Sequence, residues 1–405
     1  MGLQDVVSAQ RPHIAFFGVC NAGKSSVVNA VTGQALALVS DVRGTTTDPV
    51  RKAMELLPLG PVVIIDTPGL GDDGTLGGQR MQRARQVLDE TDIAVLVVDA
   101  ARGLDVADKE LLSQFAARGI PYAAAYNKAD LLAARPPLEG NALYISAKTG
   151  ENIGALKEML GQFAQQKAQA RPIISDLLRP GAWTVLVTPI DESAPRGRMI
   201  LPQQQVMRDL LDAHLPFLTC QPEELAMALG ALKEKPSLVV TDSQAFARVA
   251  QDTPPDVRLT SFSILFARYK GNLPALVEGA RALSGLKDDD AVLISEGCTH
   301  HRQCGDIGTV KLPGWIEGYT GAKPRFSFTS GGEFPEDVSL YKLVIHCGGC
   351  MLNEREMKYR LQCAEDQGVP ITNYGILMAY INGILKRSLE PFPQIAMALE
   401  DETGK

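Results

Sequence analysis

The stretch Gly18-Val-Cys-Asn-Ala-Gly-Lys-Ser25 is the strongest indication of the fold in the first part of the chain. It fits the pattern G-x-x-x-x-G-K-[S/T]. It also follows the apolar run Ile14–Phe17 and precedes a helical pattern, which is the context that a phosphate-binding loop requires. Glycines let backbone N–H groups turn inward around a phosphate, and the next helix adds the positive end of its dipole. The stretch therefore predicts an α/β domain that binds a nucleoside triphosphate.

Two loop side chains have defined expected roles. Lys24 is expected to reach the β- and γ-phosphates and Ser25 to bind Mg²⁺. In Gly44-Thr-Thr-Thr-Asp48 one threonine, taken as Thr46, is expected to close over the same ion. The other loop residues expected to contact the nucleotide are Gly18, Asn21, Ala22, Gly23 and Ser26.

Three further motifs follow apolar runs. In Asp66-Thr-Pro-Gly69 the aspartate is expected to bind Mg²⁺ through water and the Gly69 amide to sense the γ-phosphate. The carboxylate of Asn127-Lys128-Ala-Asp130 can accept two hydrogen bonds from the N1–H and N2–H₂ edge of guanine, which adenine does not offer. Ser146-Ala147-Lys148 is expected to supply a backbone amide to the guanine O6. The motifs together predict a GTPase.

These motifs resemble the translation-factor-related GTPases, especially the branch that contains Era and the tRNA-modifying GTPase. The resemblance implies that Asn21 binds K⁺ beside the phosphates. A Ras-type glutamine is absent after Gly69, since Leu70 follows, and Asp72 and Asp73 are the candidates to orient water. Slow intrinsic hydrolysis, typical of a switch, is therefore expected.

Length and composition bound the rest of the chain. With 405 residues it is expected to form two or three domains. A net charge of −7 without a long basic run disfavours nucleic-acid binding. Because no apolar run approaches the ~20 residues of a membrane helix, and the N-terminus has no apolar signal core, a cytoplasmic protein without a membrane partner is expected.

Alternation of apolar and helical stretches sets the domain boundaries. Residues 1–170 are expected to form the nucleotide-binding domain, with helices on both faces of a parallel sheet. Residues 175–268 are expected to form a second, smaller α/β unit without a phosphate loop, and residues 272–405 a third that contains most of the cysteines.

The C-terminal region contains Cys298-Thr-His300 and, further on, His346-Cys347-Gly-Gly-Cys350. Thiolates suit zinc or iron–sulfur clusters, and Cys-x-x-Cys brings two sulfurs to one centre. The spacing alone leaves three readings open: a structural zinc site, an iron–sulfur cluster on three cysteines with a replaceable fourth ligand, and a Cys-x-x-Cys redox pair.

A GTPase domain followed by a small α/β domain and this Cys–His motif resembles the iron–iron hydrogenase maturation GTPases. The likeness also covers the stretch from Val187 to Pro202. It implies a dimerisation domain at 175–268 and an iron–sulfur domain at 272–405. It further implies a 4Fe–4S cluster on Cys298, Cys347 and Cys350, with a labile fourth position open to His300, His346, an exogenous ligand or a carboxylate such as Asp191 or Glu192.

The same resemblance implies a scaffold and carrier. Such a protein receives a di-iron subcluster precursor, whose ligands two radical-SAM maturases build, and delivers it to the apo iron–iron hydrogenase. A homodimer or a dimer of dimers is expected. The alternative function is a translation- or tRNA-linked GTPase with a structural zinc module.

Overall fold

A computed structural model describes residues 11–34, 49–69, 84, 86–167, 172–190, 199–297, 307–331, 333–349 and 352–400. The chain divides into two compact units, residues 1–170 and 171–405. Both are built from alternating strands and helices, so the predicted α/β class is confirmed. None of the described helices is long and apolar enough to span a membrane.

The first unit contains a six-stranded sheet with the strand order β2-β3-β1-β4-β5-β6. Its strands are β1 (His13–Phe17), β2 (Val50–Leu56), β3 (Gly60–Asp66), β4 (Ile93–Asp99), β5 (Tyr122–Asn127) and β6 (Ala142–Tyr144). Its helices include α1 (Lys24–Thr32), α2 (Val106–Ala117) and α3 (Ile153–Lys167). Along β1, Ile14 and Phe16 enter one core and Ala15 and Phe17 the other, because successive side chains of a strand point to opposite faces.

Strand β2 is the part of this sheet that the sequence analysis did not predict. It pairs antiparallel with β3, whereas the other neighbouring strands are parallel. Its side chains are mostly exposed, and Arg51 at this edge forms a 2.5 Å ion pair with Glu90. An exposed edge strand needs neither an apolar run nor strict alternation, so its sequence carries little strand signal.

The second unit begins with a parallel four-stranded sheet of order β10-β9-β7-β8. The strands are β7 (Thr184–Val187), β8 (Phe217–Cys220), β9 (Leu238–Thr241) and β10 (Arg258–Ser261). The helices are α4 (Leu201–Asp212), α5 (Leu225–Ala231), α6 (Phe246–Asp252) and α7 (Phe262–Lys270). This is the strand–helix alternation predicted for the middle region.

A second parallel sheet in this unit has the order β12-β11-β13-β14. Its strands are β11 (Ala291–Glu296), β12 (Arg325–Ser330), β13 (Leu343–His346) and β14 (Ile371–Asn373). The helices around it are α8 (Leu273–Arg281), α9 (Leu312–Thr320), α10 (Glu354–Asp366), α11 (Tyr374–Ile381), α12 (Leu385–Ser388) and α13 (Pro393–Glu400).

The two sheets of the second unit share one hydrophobic core. Leu186 of β7, Leu265 of α7 and Val344 of β13 belong to the same buried cluster. The C-terminal part of the chain also contacts the first of these sheets, since the Thr260 hydroxyl of β10 donates to the Ser388 carbonyl of α12 at 2.8 Å. A boundary near residue 270 stays a prediction, since α7 packs into both halves.

Candidate functional site

Two glycines give the loop after β1 its shape. Gly18 has φ 142°, and a Cβ added there would lie 2.3 Å from the Val97 carbonyl oxygen. Gly23, with φ 87°, precedes α1, and its added Cβ would lie 2.4 Å from Asn127 Nδ2. Close backbone approach and left-handed φ are the two conditions that only glycine meets without strain. The loop therefore lies in close contact with the Asn127 side chain.

Lys24 and Gly69, the residues expected to contact the terminal phosphate, lie close together. The Lys24 ammonium is buried and donates to the Val19 carbonyl at 3.1 Å. A Cβ added to Gly69 would lie 2.7 Å from Cys20 Sγ and 3.2 Å from Lys24 Nζ. The Gly69 backbone is thus close enough to the lysine for both to contact one terminal phosphate.

The two predicted magnesium residues also meet. Ser25 Oγ donates to Asp66 Oδ2 at 2.9 Å, while Asp66 Oδ1 is buried without a hydrogen-bond partner among the described residues. Burial raises the pKa of Asp66, although the Ser25 hydrogen bond and the Lys24 charge both lower it. A buried, incompletely satisfied carboxylate beside a serine hydroxyl fits a site for a hard divalent cation.

Asp66→Asn is expected to stabilise the nucleotide-free protein and impair hydrolysis. Because the folded-state pKa of Asp66 is raised, its ionisation above that pKa disfavours folding, and that cost persists at neutral pH. The neutral amide removes it, so the melting temperature should rise by about 2–4 °C for each kcal/mol regained. GTP turnover should fall about 100-fold or more, since the cation's charge stabilisation is worth several kcal/mol. Calorimetry and phosphate release measure both effects, and a lower melting temperature would contradict this account.

The residues predicted to recognise guanine come together at the ends of β5 and β6. Asn127 Nδ2 donates to the Ala22 carbonyl at 3.0 Å, and its Oδ1 accepts from the Ala147 amide at 3.0 Å. Ser146 Oγ donates to Asp130 Oδ1 at 2.7 Å. Asn127 thus joins three motifs, and Ser146 orients the carboxylate for a base edge.

Further hydrogen bonds join the phosphate-binding loop to the Asn127–Asp130 loop and stabilise the latter. Lys128, with φ 65°, donates to the Asn21 carbonyl at 2.8 Å and to Asp99 Oδ2 at 2.6 Å. Burial alone raises the pKa of Asp99, but hydrogen bonds from Lys128 and from the backbone lower it overall. Arg135, which the sequence analysis missed, pairs with Glu151 and donates to the Ala129 carbonyl at 3.1 Å.

The remaining nucleotide residues differ in exposure. Ser26 is half-buried in the first turn of α1, and Lys148 and Asn21 are exposed. Asn21 has φ 65°, so the loop tip is left-handed there. Thr46 lies outside the described residues, as do Asp72 and Asp73.

The carboxyl ends of β11 and β13 form the second candidate site. The strands are parallel neighbours with Ser295 opposite His346, so Gly297 and Cys347 follow at the same edge of the sheet. Cys347 Sγ accepts hydrogen bonds from the Gly297 amide at 3.0 Å and from the Gly349 amide at 3.4 Å. Cys347 therefore lies beside Gly297, the residue that precedes Cys298 in the sequence.

Two buried cations lie beneath the Cys347 loop, and the sequence analysis identified neither. Lys270 donates to the carbonyls of Gly349 at 3.1 Å and Leu352 at 2.9 Å. Arg360 donates to His346 Nε2 at 2.9 Å. Lys270 is the last residue of α7 and Arg360 lies midway along α10, and neither sequence context contains a signal for burial.

The described residues contain no group of three or more His, Cys, Asp or Glu that could hold a metal ion. Cys298, His300 and Cys350 lie outside the part of the chain that the structure describes, as do Asp191 and Glu192. Of the predicted iron–sulfur residues, Cys347 and His346 are therefore the two whose surroundings are defined. Both ring nitrogens of His346 are engaged, Nδ1 with the Cys347 carbonyl and Nε2 with Arg360.

The first unit is similar to known GTPases. The model of the family described as 50S ribosome-binding GTPase matches residues 13–128. The chain is 34% identical over 152 residues to the tRNA modification GTPase MnmE of Nitrosomonas europaea, covering 36% of this chain and 33% of that protein. It is 36% identical over 163 residues to MnmE of Xanthomonas oryzae pv. oryzae, covering 38% and 34%. The chain thus spans about a third of the length of these relatives.

Solved structures give weaker likenesses. Aquifex aeolicus Era bound to GDP·AlF4⁻ is 16% identical with a TM-score of 0.34, covering 59% of this chain and 97% of that one. A probable GTP-binding protein engB is 24% identical with a TM-score of 0.32, covering 38% and 99%.

Two further family models cover the second unit. The Hydrogen maturase F dimerization domain matches residues 173–271, and the Hydrogen maturase F tetramerization domain matches residues 274–391. Together they span more than half of the chain, in order after the GTPase domain. The chain therefore belongs to the hydrogen maturase F family, with a P-loop GTPase domain at its start.

Proposed function

We propose that this protein is a GTP-hydrolysing scaffold and carrier that delivers a di-iron subcluster precursor to the apo form of an iron–iron hydrogenase. The observation that carries the proposal is the placement of Cys347 beside the end of β11, from which Cys298 follows. Family membership supports a role in hydrogenase maturation and an oligomeric protein. A homodimer formed through residues 175–268, or a dimer of such dimers, fits the dimerization and tetramerization domains of the family.

The described surroundings of Cys347 suit a sulfur that binds iron. Two backbone amides point at its Sγ, and such hydrogen bonds stabilise the negative charge of thiolates and cluster sulfurs. Gly349 has φ 60°, and a Cβ there would lie 2.5 Å from Met357 Sδ, so glycine is required for this turn. Cys298, Cys347 and Cys350 would hold a 4Fe–4S cluster, which offers an exchangeable fourth position to the cargo.

We assign the nucleotide a switching role. Lys24 and Gly69 lie where one terminal phosphate would contact both, so loss of that phosphate changes the contacts of the Gly69 segment. Asn21, whose carbonyl is held by Lys128, is the residue proposed to bind K⁺ during hydrolysis. Such a switch alters partner affinity through contacts that differ between two states.

The nucleotide state is therefore expected to change binding to a radical-SAM maturase. The full chain, immobilised with GDP or with a non-hydrolysable GTP analogue, should retain less maturase in the GTP-like state. Asp130→Asn, which is expected to bind GTP far more weakly, supplies the nucleotide-independent baseline. Equal retention in both states would remove the switching role.

Cargo delivery is tested by transfer. The protein is isolated from cells that contain both maturases, is mixed with apo-hydrogenase made without them, and hydrogen evolution is measured. Activity should appear with this protein and not with protein made in the absence of the maturases. No activation by a preparation shown to contain the extra iron and cyanide would overturn the carrier role.

A translation- or tRNA-linked role has less support. The likeness to MnmE is confined to about a third of each chain, and residues 173–391 match hydrogen maturase F models almost throughout.

A further inference from the structure

His346 lies at the end of β13 with its ring completely buried. Nε2 is 2.9 Å from Arg360 Nη1, and Nδ1 is 2.7 Å from the Cys347 carbonyl oxygen. A guanidinium can only donate and a carbonyl can only accept. The tautomer follows from these two partners, since Nε2 must accept and Nδ1 must carry the hydrogen.

Arg360 is held in turn by its own partners. It is 1% exposed, and its two terminal nitrogens donate to Ser295 Oγ at 3.3 Å, the Gly331 carbonyl at 2.6 Å and Glu356 Oε1 at 2.6 Å. A planar fork with fixed directions suits such a set of acceptors, and a lysine ammonium would not reproduce it. Arg360 therefore holds the His346 ring in one orientation through its contact with Nε2.

The consequence reaches the cysteine through its backbone. The Cys347 N–H donates to the Ser295 carbonyl at 3.0 Å within the sheet, and its C=O accepts from His346. Both ends of the residue are thus fixed, with Sγ facing the Gly297 amide.

We propose that His346 is a positioning residue, locked by Arg360 to orient the Cys347 peptide, and that it is not an iron ligand. The statement that His346 is not an iron ligand rests on the proposed function, because it presupposes a cluster at this site. The hydrogen bonds from Arg360 to His346 and from His346 to Cys347 do not require bound iron. Groups that hydrogen-bond to a metal-binding residue without touching the metal set its geometry and tune its properties.

The first test uses the cluster-free full chain labelled with ¹⁵N-histidine. The wild-type spectrum should contain an Nδ1–H ring signal for His346 and another for His13, whose Nδ1 faces the Arg11 carbonyl at 3.0 Å. The first should disappear in His346→Asn, and both should persist in His214→Asn, a matched control at an exposed residue with φ 55°. In Arg360→Met the Nδ1–H signal of His346 should broaden, since Nε2 loses its donor and the ring is no longer held in one orientation. Exchange of the Gly349 amide should quicken about tenfold, the loss expected from removing one charged hydrogen bond. An Nε2–H ring at His346 in the wild type would overturn the proposal.

The second test uses reconstituted protein. The Asn side-chain amide can replace Nδ1–H as a donor to the Cys347 carbonyl, whereas Ala cannot. His346→Asn should keep the iron content and reduced-cluster EPR signal of the wild type, and His346→Ala should lose a large part of both. If His346→Asn removes a nitrogen coupling that the wild type shows, the ring is a ligand and the proposal fails. A wild-type protein that binds no cluster would instead count against the proposed function and leave the ¹⁵N result standing.

Discussion

Asp130→Asn is expected to weaken GTP binding by roughly 10⁴-fold, the penalty typical of a site built to pair with polar groups that then loses its match. In the structure the Asp130 carboxylate is oriented by Ser146 Oγ at 2.7 Å, with the Asn127–Ala147 hydrogen bond beside it. An amide at residue 130 would direct N–H groups at the N1–H and N2–H₂ donors of guanine. Equilibrium titration with a fluorescent GTP analogue measures the change.

Xanthosine triphosphate supplies the rescue for this variant. Its carbonyl at C2 replaces the guanine amino group, so it can accept from the new amide and should bind the variant better than GTP does. Asp212→Asn, in an exposed ion pair with Arg208 on α4, is the matched control and should bind GTP normally. GTP binding by the residue-130 variant within tenfold of the wild type would contradict the assigned guanine contact.

Cys347→Ala is expected to abolish cluster binding while GTP hydrolysis stays near the wild-type rate. The loss of one of three thiolates leaves the two remaining cysteines unable to hold the iron corner that Cys347 bound. The two amides of Gly297 and Gly349 would also lose their acceptor. The measurement is iron content and the reduced EPR signal after anaerobic reconstitution, with phosphate release measured on the same sample.

Cys363→Ala is the control for this experiment. Cys363 is half-buried on α10, where its thiol lies 3.4 Å from the Glu336 carbonyl oxygen. Cys363→Ala removes one thiol, as Cys347→Ala does, but cluster binding should persist. If Cys347→Ala keeps the full iron complement, a cluster on the three proposed cysteines is excluded.

Much of the nucleotide site could be predicted because its chemistry is local. Gly18, Lys24 and Ser25 lie in one loop, and the motifs at Asp66 and Asn127 each end a buried strand. Parallel strands place their carboxyl ends at one edge of a sheet, so short motifs far apart in sequence must meet there.

The unpredicted features depend on long-range packing. Strand β2 is charged and exposed, so it is recognised only by its pairing with β3. Lys270 and Arg360 read as helix-surface residues, and burial becomes evident only when carbonyls of distant loops surround them. A core shared between the middle and C-terminal sheets cannot be deduced from periodicity either, because periodicity identifies apolar faces and not what covers them.

Analysis of iron and acid-labile sulfide in anaerobically purified, reconstituted protein decides whether this chain is an iron–sulfur scaffold. An iron–sulfur scaffold predicts about four iron and about four sulfide per chain. It also predicts loss of both elements in the Cys347→Ala variant but not in Cys363→Ala. One tightly held zinc ion per chain with no sulfide would contradict the scaffold function, and would leave a GTPase of the same family with a structural metal site.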